Sequence, residues 1–300
     1  MNTPSHPRRG FTLVELLVVL GVIALLVAIL LPTLLAARRT AGQVRALSDV
    51  RQLLVAHGFY RLDHKGRVPL GYPPQTLGGT SIEFAYDGYT IDPLLAQRYP
   101  FRFVPYLDDV WDLVFSGQPT PDETALYDRS ISTTYGLNST YVGGESGIFG
   151  RGFVERGKAS LPDSDLSKYL PGSPTFMMVN ANRHVVFRES EVREPSSLIV
   201  FADSKLRGGP FGGGGDGGYC NVHAPLANGQ LWQVVDDPDS PEGKIEVVAS
   251  RAIGIPEGRF GKGAATGFFD GHAESRHPDD LLDMRLWANW AEAHDDDFVP

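Results

Sequence analysis

The chain of 300 residues has one cysteine, Cys220, and therefore closes no intramolecular disulfide. An exported fold built from it must hold by its core or by a metal ion, not by covalent staples. Positive charge is scarce beyond the first segment. Residues 1–51 carry six arginines and two acidic side chains, leaving 21 basic and 34 acidic residues in 52–300. So acidic a remainder argues against nucleic acid as the main partner, because phosphate recognition needs clustered Lys and Arg. Signs of catalysis are sparse as well. The glycine-rich run 208–218 lacks the Gly-Lys-Ser/Thr ending of a phosphate loop and reads as a flexible loop. Cys220 and His223 place a thiol near a base in sequence, but no oxyanion device or third member accompanies them. No enzyme is expected.

Charge is nearly absent from one long stretch. Between Phe11 and Ala37 the only charged side chain is Glu15. As a helix this stretch measures about 40 Å at ~1.5 Å per residue, enough to cross a hydrocarbon core of roughly 30 Å. An ionisable group in such a helix costs about 2.5–3.5 kcal/mol on insertion scales and persists with a partner. The segment before it, Arg8-Arg9-Gly10, is basic and ends in a small residue. If the chain is cut after Gly10, Phe11 gains an α-amine of pKa about 7.7–8.0, cationic at neutral pH. That amine lies about one helical turn from Glu15. It can meet Glu15 of its own chain or of a neighbour in a stack of parallel helices, which would set axial register more than stability. A secretory signal has a shorter apolar core and a small-x-small cut site. An ordinary single-span anchor accounts for Arg8 and Arg9 by the positive-inside rule but gives Glu15 no role.

Residues 9–20, Arg-Gly-Phe-Thr-Leu-Val-Glu-Leu-Leu-Val-Val-Leu, resemble the class III signal of type IV pilins and type II secretion pseudopilins. The resemblance implies cleavage by a membrane-embedded prepilin peptidase after Gly10, N-methylation of Phe11, and an assembly role for Glu15. Pro32 matches the proline many of these helices carry, and a modest bend is expected there because proline removes one helical hydrogen bond. Tyr60, Asp63, Gly66 and Pro69 resemble the stretch by which major, G-type pseudopilins leave the helix. Thr134–Asn138, Pro195–Asp203 and Phe268–His272 resemble a bacterial group of pilin-like proteins that end in His, nine residues, then Asp-Gly. Here the histidine position is Phe260, so that residue's role does not carry over, and Asp270-Gly271 reads as a turn.

The expected architecture is α+β: a long N-terminal helix, transmembrane then amphipathic, packed on an antiparallel β-sheet domain with loop insertions. Its parts are a cytoplasmic leader 1–10, a transmembrane or filament-core helix 11–37, an amphipathic half 38–66 and an exported β-rich domain 67–300. The amphipathic half shows Val44, Leu47, Val50 and Leu54 at helical spacing. Residues 71–135 form an insertion, with short helices expected at Asp92–Arg98 and near Tyr106–Phe115. Thr175–Val179 with His184–Arg188 read as a hairpin, and Ser197–Ala202, Leu231–Val235 and Ile245–Ala249 as further strands. An amphipathic helix is expected over about 279–294, with Leu281, Leu282, Leu286, Trp287 and Trp290 on or near one face.

The resemblance further implies a structural subunit, pseudopilin or pilin, of a secretion pseudopilus or type IV pilus-like filament. Its partners would be the prepilin peptidase, other subunits, the assembly platform and the inner membrane. Before cleavage the N-terminus would be cytoplasmic, with the globular domain periplasmic or in an extracellular filament. A second reading is a membrane-anchored ligand- or carbohydrate-binding protein that uses aromatic residues of 84–115, namely Tyr99, Phe101, Phe103, Tyr106 and Trp111. No cofactor is required. Asp236, Asp237, Asp239 and Glu242 offer oxygen ligands, and major pseudopilins often bind calcium in a C-terminal loop, yet their spacing is not that of an EF-hand.

Overall fold

The computed structural model describes residues 13–71, 76–77, 80–81, 84–86, 89–91, 97–115, 130–144, 184–207, 217–227, 230–237, 240–249, 253–259 and 263–295. The chain divides into two compact units, Met1–Gly42 and Gln43–Pro300.

Helix α1 runs Leu13–Asp63. In the first unit its side chains are exposed along the apolar stretch Leu13–Leu35. In the second it is amphipathic, burying Ala46, Asp49, Val50, Leu53, Leu54, Ala56 and His57. Its end is local chemistry. Lys65 and Gly66 take positive φ, 55° and 78°, and the Gly66 amide donates to the Arg61 carbonyl at 2.7 Å. Glycine reaches that conformation without a Cβ penalty, so the helix stops where the turn residues stand.

After the helix come two small antiparallel ribbons, β1 (Thr76–Leu77) with β2 (Thr80–Ser81) and β3 (Phe84–Tyr86) with β4 (Tyr89–Ile91). Short helical pieces follow at Pro100–Phe103, Val104–Tyr106 and Val110–Val114. The last of these lies within the expected Tyr106–Phe115 piece. Of the expected Asp92–Arg98 helix, residues 92–96 lie outside the described residues, and Gln97 and Arg98 form a turn.

The second unit centres on a four-stranded antiparallel sheet in the order β12-β11-β6-β5, built from β5 (Tyr135–Leu137), β6 (Ile199–Asp203), β11 (Ala264–Phe268) and β12 (Ala273–Arg276). Between β6 and β11 in sequence lie β7 (Lys205–Arg207), β8 (Trp232–Asp237), β9 (Ser240–Val247) and β10 (Ile253–Ile255). These pair as β7 with β10 and β8 with β9.

Both faces of the sheet are covered. Ala265 and Phe269 join α1's Val50, Leu53 and Leu54 in one core cluster, whereas Ala264 and Phe268 join Trp232, Leu281, Met284 and Trp287 in another. This is the two-residue alternation of a strand. Between Ala265 and Phe269, Gly267 lets the helix approach: a Cβ there would overlap Val50 Cγ1 and come within 2.8 Å of Leu54 Cδ1. The continuous apolar run of β6 is buried at every position because it lies inside this sandwich.

Two expectations differ. The segment 279–294 is not one α-helix but a pair of 3₁₀ turns, Asp280–Leu282 and Met284–Leu286. Asp283 between them is extended, and its carboxylate binds the Arg285 amide and guanidinium. Tertiary partners take the backbone groups a helix would use: Trp287 Nε1 donates to the Leu281 carbonyl, Asn138 Nδ2 to the Trp287 carbonyl, and the Asn289 amide to the His184 carbonyl. Likewise His184–Arg188 forms isolated bridges, Val142 with Val186 and Arg67 with Arg188, instead of half a hairpin. Its expected partner Thr175–Val179 lies outside the described residues.

Candidate functional site

Gly10 and Phe11 lie outside the described residues. Glu15 stands in the first turn of α1, where the helix dipole favours an anion. It is exposed and sits among Leu13, Val14, Leu16 and Leu17, themselves exposed. This is the one described helix long and apolar enough to cross a membrane. Pro32 lies inside it without ending it. The missing proline N–H leaves the Ala28 carbonyl without its helical donor, and next to it Thr33 Oγ1 donates to the Leu30 carbonyl at 2.8 Å. A helix so apolar and so exposed in a single chain has its burial partner outside that chain: lipid, or other helices.

The remaining candidates disperse into the fold. Cys220 is buried in the core cluster on the α1 side of the sheet, and His223 is buried with Nδ1 accepting from the Gly254 amide at 3.0 Å. Neither is placed to meet a substrate. Tyr99, Phe101 and Phe103 are core residues, Tyr99 and Phe103 packing against Phe201, while Tyr106 is half-buried and packs edge-on against Tyr60. Of these, Tyr106 borders an open groove and the other three are closed into the core. The side chain of Trp111 lies outside the described residues.

Asp236 is exposed at the end of β8, Asp237 pairs with Ser240 across the hairpin, Glu242 lies on β9, and Asp239 is outside the described residues. Among the described residues no three His, Cys, Asp or Glu converge to hold a metal ion. Asp270 and Gly271 form the turn between β11 and β12, with Gly271 at φ 101°. Desolvation works to raise the Asp270 carboxyl, but hydrogen bonds from the His272 amide and ring, at 3.1 and 2.6 Å, outweigh it and hold the group below its ordinary value. Phe260 is outside the described residues.

Three buried polar groups have no role legible in the sequence, although Asn138 and Asp203 close two of the stretches that carry the resemblance to pilin-like proteins. Asn138 is fully buried and bridges β6 to the C-terminal turns, donating to the carbonyls of Ile199 and Trp287 at 2.9 and 3.0 Å. His57 on α1 is enclosed by Phe103, Phe201 and Phe269, with ring centroids 5.5–6.4 Å away. Burial first, then the Arg61 charge, lowers its pKa to about 3, and Nε2 has no hydrogen-bond partner among the described residues. Asp203 ends β6 with Oδ2 accepting from the Ala265 amide at 2.9 Å and Oδ1 without a partner among the described residues. Desolvation raises its carboxyl to about 7 against the pull of that hydrogen bond, Arg259 and Lys205. Their sequence signal is faint: a histidine on the apolar stripe of α1, and a carboxylate closing a run of buried strand residues.

Comparison with a family model falls on the same N-terminal segment. Residues 5–31 match a family model described as the prokaryotic N-terminal methylation motif. Over 127 residues the chain is 33% identical to type II secretion system core protein G of Escherichia coli (strain K12), covering 41% of this chain and 80% of that protein. It is 39% identical over 56 residues to the type IV wide pilus major component PilA4 of Thermus thermophilus, 19% of this chain and 43% of that protein. With the competence protein ComGC of Halalkalibacterium halodurans it shares 34% identity over 64 residues, 21% of this chain and 63% of the relative. No solved structure matches significantly. Proteins of this kind are structural and not enzymes. The methylation motif, the long apolar helix packed through its second half on an antiparallel sheet, and these relatives together make this chain a member of the type IV pilin-like family.

Proposed function

We propose that this chain is a structural subunit of a type II secretion pseudopilus or a type IV pilus-like filament. In this reading it is made as a prepilin whose leader, residues 1–10, is removed by a prepilin peptidase after Gly10, and Phe11 is then N-methylated. Residues 11–37 hold it in the inner membrane with the globular part outside the cytoplasm, until an assembly platform draws it into a filament with other subunits. Glu15 meets the Phe11 amine of a neighbour and sets register, and Pro32 gives the helix its bend.

The observation that carries the reading is the exposed apolar helix with one carboxylate in its first turn, overlapping the methylation motif at 5–31. A membrane anchor alone gives no reason for that carboxylate, which costs about 2.5–3.5 kcal/mol to insert. A register device does. The test is the mass of the mature N-terminus. A chain beginning at methylated Phe11, with Gly10→Val retaining its leader, is the expected result. A chain beginning near Arg38 would instead identify a secretory signal and end the filament reading.

A further inference from the structure

Within the second unit the outward face of α1 mixes exposed apolar side chains with Ser48 and Arg51. The buried face packs on the sheet. On the outward one, Val44, Val55, Phe59 and Leu62 fall within about 60° of one another at 3.6 residues per turn, and all four are exposed. Beside Val55 this face borders a groove of about 570 Å³, walled by Asp49, Arg51 and Gln52 of α1 and by Leu107, Asp108 and Asp112 of the segment crossing it. Asp108 and Asp112 are exposed on its lip. Two cations stand there too: Arg51 lines the groove and donates to the Ala273 carbonyl at 3.2 Å, and Arg45 pairs with Asp49 at 3.9 Å, so carboxylates still outnumber cations around it. The surface is thus a helix face of four exposed apolar side chains, interrupted by Arg51, with an acidic lip.

The same chain carries the complementary surface. Val27, Leu31, Leu34 and Arg38 stand at i, i+4, i+7 and i+11 of α1, one helix face by periodicity, and all are exposed. It is an apolar ridge with a basic end, and Arg39 follows directly.

We infer that the groove beside Val55 is a docking site for a second copy of this chain, whose Arg38 and Arg39 enter against Asp108 and Asp112 while its Leu31 and Leu34 lie beside Val44. The inference rests on the subunit reading above and adds a specific contact to it. Exposed ion pairs are individually weak. The apolar contacts supply most of the attraction, and the charges select partner and register.

The experiment has two readouts in cells that make the full-length protein with its assembly machinery. Charge reversal comes first. Asp108→Lys with Asp112→Lys, or Arg38→Glu with Arg39→Glu, should each lower recovery of the chain in sheared filaments at least tenfold while membrane insertion and leader removal stay normal. Combining all four should restore most of it. Second, chains carrying Arg38→Cys and Asp108→Cys, co-expressed and oxidised, should form a mixed dimer that neither makes alone. Unchanged recovery in both reversals, or reversal without rescue and without the mixed dimer, overturns the inference. So does capture of a different subunit at Asp108→Cys in place of this chain. A mixed dimer in membranes that never yield filaments would support the docking site and defeat the filament reading, so the two fail separately.

Discussion

The two halves of α1 share a secondary structure and differ in where their apolar side chains find partners. In the first unit Leu25, Leu26 and Leu30 are more than half exposed, whereas in the second Leu53 is fully buried and Leu54 is 5% exposed. Helix formation is therefore common to both. Burial is intramolecular in one and left to other molecules in the other. The globular unit is stabilised by the contacts of α1 with β6 and β11, while the first half, exposed along its apolar stretch, contributes hardly to the folding of that unit and in the proposed reading serves insertion and assembly.

The largest effect that tests this contrast is a matched pair of truncations. Leu54→Ala removes a buried side chain against Gly267 and should destabilise the globular unit by about 2–5 kcal/mol. Leu26→Ala should leave its unfolding midpoint unchanged. Denaturant melts of the two variants in detergent measure the difference, and equal destabilisation would break the contrast.

Gly267→Val probes the same interface from the sheet side. The added Cβ meets Val50 and Leu54, so the helix or the strand must shift, at a cost of about 1–3 kcal/mol, the usual scale of overpacking. Leu54→Ala should relieve part of that cost in the double variant. Strict additivity of the two changes would place the helix farther from β11 than the structure does.

The buried ionisable groups sharpen the picture through pH. His57 has its pKa lowered from 6.5 to about 3, so the unfolded chain takes up a proton first as pH falls. The stability it contributes is present above 6.5 and is lost progressively toward pH 3. Asp203, raised from 3.8 to about 7, works in the opposite sense. Its contribution is complete below 3.8 and disappears as pH rises through 7. The two slopes oppose one another over the acidic range. His57→Leu, which also removes an unsatisfied buried nitrogen costing about 1–3 kcal/mol, should make the globular unit more stable at pH 5 than the parent chain. Asp203→Asn should flatten the loss between pH 4 and 8. A His57→Leu melt with an unchanged acid limb would mean that the ring is hydrated and not caged by its three phenylalanines.

Glu15→Val gives the smallest change in free energy and falls on assembly alone. It should leave folding and membrane insertion intact and reduce incorporation into filaments about tenfold, equivalent to ~1.4 kcal/mol. Glu15→Asp, with its charge kept but its reach shortened, should fall between. Comparing membrane-fraction protein with sheared filaments separates the two steps, and normal incorporation of the valine variant would remove Glu15 from the register argument.

Features that depend on a few neighbouring residues were legible in the chain itself. These include the apolar helix with one carboxylate, its stop by Gly66, the β6 and β8 strands and the Asp270-Gly271 turn, because hydropathy period and the φ preference of glycine act locally. Tertiary structure decided what depends on residues far apart. Asn138, by reaching 149 residues to the Trp287 carbonyl, takes an acceptor that a C-terminal helix would have used. The aromatic segment from Tyr99 to Phe103 became core because β6 brings Phe201 against it. His57 became a caged base because Phe103, Phe201 and Phe269 meet around it from three parts of the chain. Periodicity assigned α1 an apolar stripe, but packing on β11 at Gly267 selected which face was buried and left Val44, Val55, Phe59 and Leu62 outside, since a helix of this width can lay only one side against a sheet.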